Sequence, residues 1–140
     1  MPNILAAQIK TDDLLGYWIT EDDNVVVLCT KENDKYYAKV VWYGPFQEEN
    51  LKKMSKKERE NIQFKYLNAV VLKDFTFDKD EWAGGKIVQI FEDKNYSAWI
   101  EKTSNKELKV TGFLFFRFLS ESTTLRRSYK PDGIHHPKAI

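Results

Sequence analysis

The sequence predicts an all-β fold: an antiparallel barrel or sandwich of eight or nine short strands with one short charged helix. Three observations point there. Between Asp80 and Phe116, three apolar runs (82–88, 95–100 and 108–116) are separated by short polar breaks, the pattern of a meander. Apolar runs never alternate with long amphipathic helices, which argues against a parallel sheet with crossover connections. Residues 47–60 stand apart, mostly charged, with only Leu51 and Met54 as apolar anchors.

Taken in order, Thr11-Asp12-Asp13-Leu14-Leu15 reads as one helical turn capped by Thr11 or Asp12. Gly16-Tyr17-Trp18-Ile19-Thr20 is a first strand. Glu21-Asp22-Asp23-Asn24 follows as a turn of residues that hydrogen-bond their own backbone. Its acidic run lacks the ligand spacing and the glycine of a calcium loop. A β-branched strand runs from Val25 to Thr30. The next, from Tyr36 to Tyr43, alternates: Tyr36, Ala38, Val40 and Trp42 share one face, and Tyr37, Lys39, Val41 and Tyr43 the other. Lys39 marks its face as the wetter one, which places Trp42 inside.

Ser55 followed three residues later by Glu58 has capping-box spacing and predicts a short helix from Lys56. The lysines around it are interleaved with glutamates, as on a solvated excursion between strands. Strand character resumes from Gln63 to Leu72, with a turn or bulge at Asn68-Ala69, and again at Phe75-Thr76-Phe77. Gly84-Gly85 lacks the helix that follows a phosphate loop, so a positive φ or a tight bend is expected there. Gly112, in mid-strand, predicts a bend or a neighbour pressing close. Residues 123–129 form the last strand, with Arg126 and Arg127 on opposite faces.

Composition narrows the function classes. With 22 basic against 21 acidic residues, no global field recruits nucleic acid or an anionic membrane. Cys29 is the single cysteine, which excludes an intrachain disulfide and argues against a thiolate zinc site. Beside Val27 and Leu28 it reads as a small buried hydrophobe. No run approaches the roughly 20 apolar residues of a membrane span. His135 and His136 lie in the tail with no third ligand nearby, so no metal site is assigned. Ile4-Leu5-Ala6-Ala7-Gln8 resembles the end of a secretory signal, without the basic start and long apolar core of a complete one.

Several segments in order resemble a bacterial family, domain of unknown function 2147, and more broadly the lipocalins and other calycins. They are Gly16-Tyr17-Trp18-Ile19-Thr20-Glu21-Asp22, Tyr37-Ala38-Lys39-Val40-Val41-Trp42, Trp82-Ala83-Gly84-Gly85-Lys86-Ile87, Tyr96-Ser97-Ala98 and Leu108-Lys109-Val110-Thr111-Gly112-Phe113. The chain departs from the family pattern after Ile87, at Leu125-Arg126-Arg127, and in its lysine-rich insertion. The resemblance implies a lipocalin-like up-and-down barrel, an exported bacterial protein (periplasmic or secreted, with the cytoplasm as the alternative) and no established activity. It also implies an arginine of the last strand packed across Trp18 where the barrel closes, next to Gly16. Arg127 is the expected partner, since it shares a face with Leu125 and Tyr129. Domain bounds follow: residues 1–13 as an N-terminal extension, 14–130 as the barrel and 131–140 as a tail.

Two functions compete. One is a non-enzymatic binding module holding a small hydrophobic molecule, with Tyr36, Trp42, Trp82, Tyr96, Trp99 and Phe113 as cavity candidates, because broad rings with polar tips suit an apolar guest. The other is a cell-envelope interaction protein whose barrel is filled by side chains and whose outer aromatics, such as Tyr43, Trp99 or Phe115, meet a partner. Either is expected as a monomer or weak homodimer. Catalysis is the least supported reading: no nucleophile with its own base, no phosphate loop and no cofactor motif is present.

Overall fold

The structure, a computed structural model, describes residues 9–44, 52–89, 94–113, 120–132 and 137–140, without the side chains of 62–64. The expectations for residues 4–8, for Phe115 and for His135 and His136 lie outside those residues. Eight strands follow the chain: β1 (Gly16–Thr20), β2 (Val25–Glu32), β3 (Lys35–Tyr43), β4 (Val70–Asp78), β5 (Glu81–Gln89), β6 (Lys94–Ser104), β7 (Glu107–Phe113) and β8 (Ser120–Arg127). Each pairs antiparallel with the next, and β8 returns to β1, closing an up-and-down barrel. A 3-10 turn, Thr11–Leu14, precedes β1, and the helix α1 (Lys56–Tyr66) lies between β3 and β4.

The tight hairpins follow from local chemistry. Asp23, Asn33, Asp34 and Lys79 adopt positive φ where the chain reverses, a conformation that Asn and Asp tolerate best. In the β1–β2 turn Asp22 accepts bonds from the Thr20 hydroxyl and the Asn24 amide. The helix starts where expected, with the Ser55 hydroxyl accepting the Glu58 amide at 3.1 Å. It continues to Tyr66, however, so the strand expected from Gln63 begins only at Val70. Asn68 takes the left-handed conformation, and its amide donates to the Val40 carbonyl at 2.9 Å, joining the helix exit to β3. Phe75-Thr76-Phe77 is part of β4 itself, which leaves eight strands.

Residues directly opposite on a ladder share a face, so register decides what is inside. Trp18 pairs with both Val27 and Arg127, and Ile100 with Trp82 and Val110, all inward. Trp18, Tyr36, Phe75, Trp82, Ile100 and Leu108 are buried together and fill one half of the barrel with side chains. Gly85 makes this filling fit. A Cβ there would stand 2.4 Å from the Phe75 ring, so only glycine lets that ring lie against the β5 backbone. Gly112 answers its expectation in the same way, with Ile87 Cδ1 3.0 Å from where a Cβ would be.

One placement is reversed. The β2–β3 register shifts between Val26 and Val27, so that Val27 faces Val40 while Val26 faces Trp42. The extra residue, Val41, is a β-bulge, and it turns the following side chains over. Trp42 therefore joins Ile19 and Val26 in a second cluster outside the barrel, with Tyr17, Val41 and Ala139 packed against it. Tyr43 turns toward the main core instead. The C-terminal residues run along this outer cluster: Ser128 bridges to Ala139, and its amide donates to the Tyr17 carbonyl at 3.0 Å. Tyr129, expected to face inward, lies beyond β8 and is exposed.

Candidate ligand cavity and the sealed end

At one end of the barrel the 3-10 turn acts as a plug, and the side chains beneath it hold its backbone. The Trp18 indole donates to the Leu14 carbonyl at 2.8 Å, and the Trp82 indole to the Thr11 carbonyl at 3.0 Å. The Arg127 guanidinium donates to Leu15 at 2.8 Å and to Asp13 at 2.9 Å through the main-chain oxygens. Its central carbon sits 3.8 Å from the centre of the Trp18 ring, a close cation–π geometry. Gly16 makes room: a Cβ there would stand 2.9 Å from Arg127 Nη1, and its φ of +114° is open to glycine but strained for other residues. Arg126 points to the other face, where it pairs with Asp23.

Two carboxylates lock the plug sideways. Asp12 accepts the Tyr36 phenol at 2.7 Å and Lys31 at 3.2 Å, and these bonds hold its carboxyl below the usual carboxylate value. Burial raises Asp13, but the Lys10 amide at 2.8 Å and Lys102 at 3.0 Å outweigh it and leave its carboxyl low. Tyr36 also meets Trp82 edge to face, with ring centres 6.4 Å apart. Beneath the plug, burial pushes the Cys29 thiol up to about 12, with Arg127 opposing it, so this cysteine is an inert core residue.

The other half of the barrel holds a cavity of about 280 Å³. Val25, Val27, Val40, Leu72, Val110 and Leu125 form its main wall, and Val71, Ile87 and Val88 continue it toward the mouth. Thr20, Gln89 and Thr123 supply the polar atoms of the rim, and Tyr66 reaches in from the last turn of α1. The Tyr66 ring stacks on Tyr43 with centres 4.2 Å apart and planes 25° from parallel. Burial, with Tyr43 beside it, pushes the Tyr66 phenol up, so it stays protonated. No charged side chain lines the cavity among the described residues.

The six residues expected to line a cavity are placed elsewhere. Tyr36 and Trp82 belong to the sealed end. Trp42 lies in the outer cluster because of the Val41 bulge. Trp99 and Phe113 lie outside, with ring centres 5.7 Å apart, since alternation along β6 and β7 sets them opposite the buried Ala98, Ile100 and Val110. The Trp99 indole donates to Glu101 at 2.6 Å. Tyr96 lies on the inward side, paired with the cavity residue Ile87, but outside the lining. The lining is mainly aliphatic instead, and its sequence signal is the alternation ending at Val40 and the β-branched run from Val25 to Val27.

Among the described residues no three His, Cys, Asp or Glu side chains converge. No described helix is long and apolar enough to cross a membrane.

A closed eight-stranded barrel, plugged at one end by its 3-10 turn and holding an apolar cavity among the described residues of its other half, has a lipocalin-like fold. Its sequence places it further: residues 16–127 match the family described as "Uncharacterized protein conserved in bacteria (DUF2147)", and the chain belongs to that family. Among solved structures it is similar to HP1028 of Helicobacter pylori, described as belonging to the lipocalin family. The TM-score is 0.60 at 22% identity, over 86% of this chain and 84% of that one. At that identity the likeness speaks for the fold alone. Among curated proteins none matches.

Proposed function

We propose that this protein is a non-enzymatic binding protein that carries one small hydrophobic molecule in the open half of the barrel. The observation that supports it is the cavity of about 280 Å³, walled by aliphatic side chains beside a half that is filled solid. Cavities of this kind are the usual place for a ligand. Export to the periplasm or beyond is part of the proposal, suggested by the likeness of Ile4-Leu5-Ala6-Ala7-Gln8 to the end of a secretory signal and tested by cell fractionation of the native protein. Native mass spectrometry of protein purified without denaturant tests the binding. A noncovalent adduct lost on denaturation is expected; a bare mass that stays bare after incubation with N-phenyl-1-naphthylamine contradicts the reading.

One observation favours a second reading, an interaction protein of the cell envelope. Trp99 and Phe113 form an aromatic pair on the outer face of β6 and β7. Concentration-dependent self-association abolished by Trp99→Ala, with no ligand bound by the barrel, would replace the first reading with this one.

A further inference from the structure

The cavity's shape and chemistry narrow what it takes. Building on the binding reading above, we infer that the ligand is a compact molecule with an apolar body of roughly ten carbons and an uncharged hydrogen-bonding end.

Size sets the first limit. The cavity, at about 280 Å³, is nearly twice the ~150 Å³ apolar cavity that accommodates benzene. Its floor is fixed. Trp18, Tyr36, Phe75, Trp82, Ile100 and Leu108 pack together in the sealed half and none of them lines the cavity. Phe75 cannot swing aside cheaply, because its ring is held flat on Gly85 and is completely buried. Trp18 and Trp82 are anchored through their indole nitrogens to the plug. A long tail would meet this layer.

Charge sets the second limit. The wall carries no charged side chain among the described residues, and an ionised group without a partner is strongly disfavoured in such surroundings. Among the described residues the rim supplies no such partner for an anion on the β1–β8 side. Thr20 leads into Glu21, Asp22 and Asp23, and Glu121 stands two residues before Thr123, with Arg126 already paired to Asp23. Lys65 and Lys94 stand beside Tyr66 and Gln89 on the other side, so among the described residues neither sign of charge dominates the mouth. Thr123 and Gln89 are exposed at the rim and offer a hydroxyl and an amide, which suit an alcohol, ester or amide end.

Titration calorimetry of the intact protein with 1-alkanols from six to fourteen carbons, and with decanoate and decylamine, tests this. Affinity is expected to rise roughly fourfold per added carbon up to about ten carbons and then level off or fall. Decanoate and decylamine should bind at least about tenfold more weakly than 1-decanol. Val110→Leu, which adds one carbon to the wall, should weaken 1-decanol roughly fourfold and leave 1-hexanol unchanged. Affinity still climbing at fourteen carbons, or either charged congener matching 1-decanol, would overturn the inference while leaving the binding reading standing. No binding by any congener would remove both.

Discussion

At the sealed end of this barrel large rings and a guanidinium are committed to holding a backbone turn; at the open end valines and leucines line a space. The same eight strands pass through both. Trp18, Tyr36, Trp82 and Arg127 each combine burial with a hydrogen bond to the 3-10 turn or to Asp12, so every polar atom they bury finds a partner. Val27, Val40, Val110 and Leu125 carry no polar atom beyond the backbone, and their small size leaves the gap. Most of the described rings of this aromatic-rich barrel thus hold its structure, and Tyr66 alone among them lines the space. Rings stabilise one end, and the space at the other is what the smaller residues fail to fill.

Truncation should separate the two ends most strongly. Trp82→Ala removes a fully buried ring and its bond to Thr11, and is expected to cost about 4 kcal/mol in urea unfolding. Val88→Ala, at the half-buried mouth, should cost under about 1 kcal/mol. Equal losses would mean that the open end is packed as tightly as the sealed one.

The adjacent arginines give the next contrast. Arg127→Ala loses the Trp18 stack and leaves the Leu15 and Asp13 carbonyls without their donor, for about 3 kcal/mol. Arg126→Ala loses a partly exposed pair with Asp23, for under about 1 kcal/mol. Thermal melts with the order reversed would move the role of closing the barrel to the other arginine.

Much of this contrast was legible in the sequence, and the failures have physical causes. The meander, the inward row from Tyr36 to Val40 and the choice of Arg127 over Arg126 all rest on strict alternation, which the ladder keeps in those places. Trp42 and Tyr43 went the wrong way because one inserted residue, Val41, flips every side chain after it, and a bulge leaves no mark in a short apolar run. The helix ran past Gln63 to Tyr66 because Phe64, Tyr66 and Leu67 fit strand and helix patterns equally well. Rings suit an apolar guest by their chemistry, but volume decides: most of the described large rings pack in the other half, and the described lining is mainly aliphatic, with Tyr66 as its one ring.

Acid should act on the sealed end and spare the open one. Asp12 and Asp13 both titrate below the usual 3.8 in the folded chain. Their contribution is therefore complete above that value and is lost as pH falls beneath it through their lowered folded values. Melting temperature should be flat from pH 7 to about 5 with respect to these groups and drop below pH 4. Asp13→Asn should lower it modestly at pH 7 and flatten the drop, since Lys102 no longer has a charge to meet. An unchanged acid slope would show that the plug's carboxylates do not stabilise it.

The most direct test is amide hydrogen exchange followed by mass spectrometry, with and without saturating 1-decanol. The account predicts that segments around Tyr66, Val71 and Val88 exchange faster than β1 and the Thr11–Leu14 plug in the free protein. Added ligand should slow exchange in those mouth segments and leave the plug unchanged. Slowing concentrated at the plug, or a ligand-free mouth as protected as β1, would contradict the division of the barrel into a sealed end and a binding end.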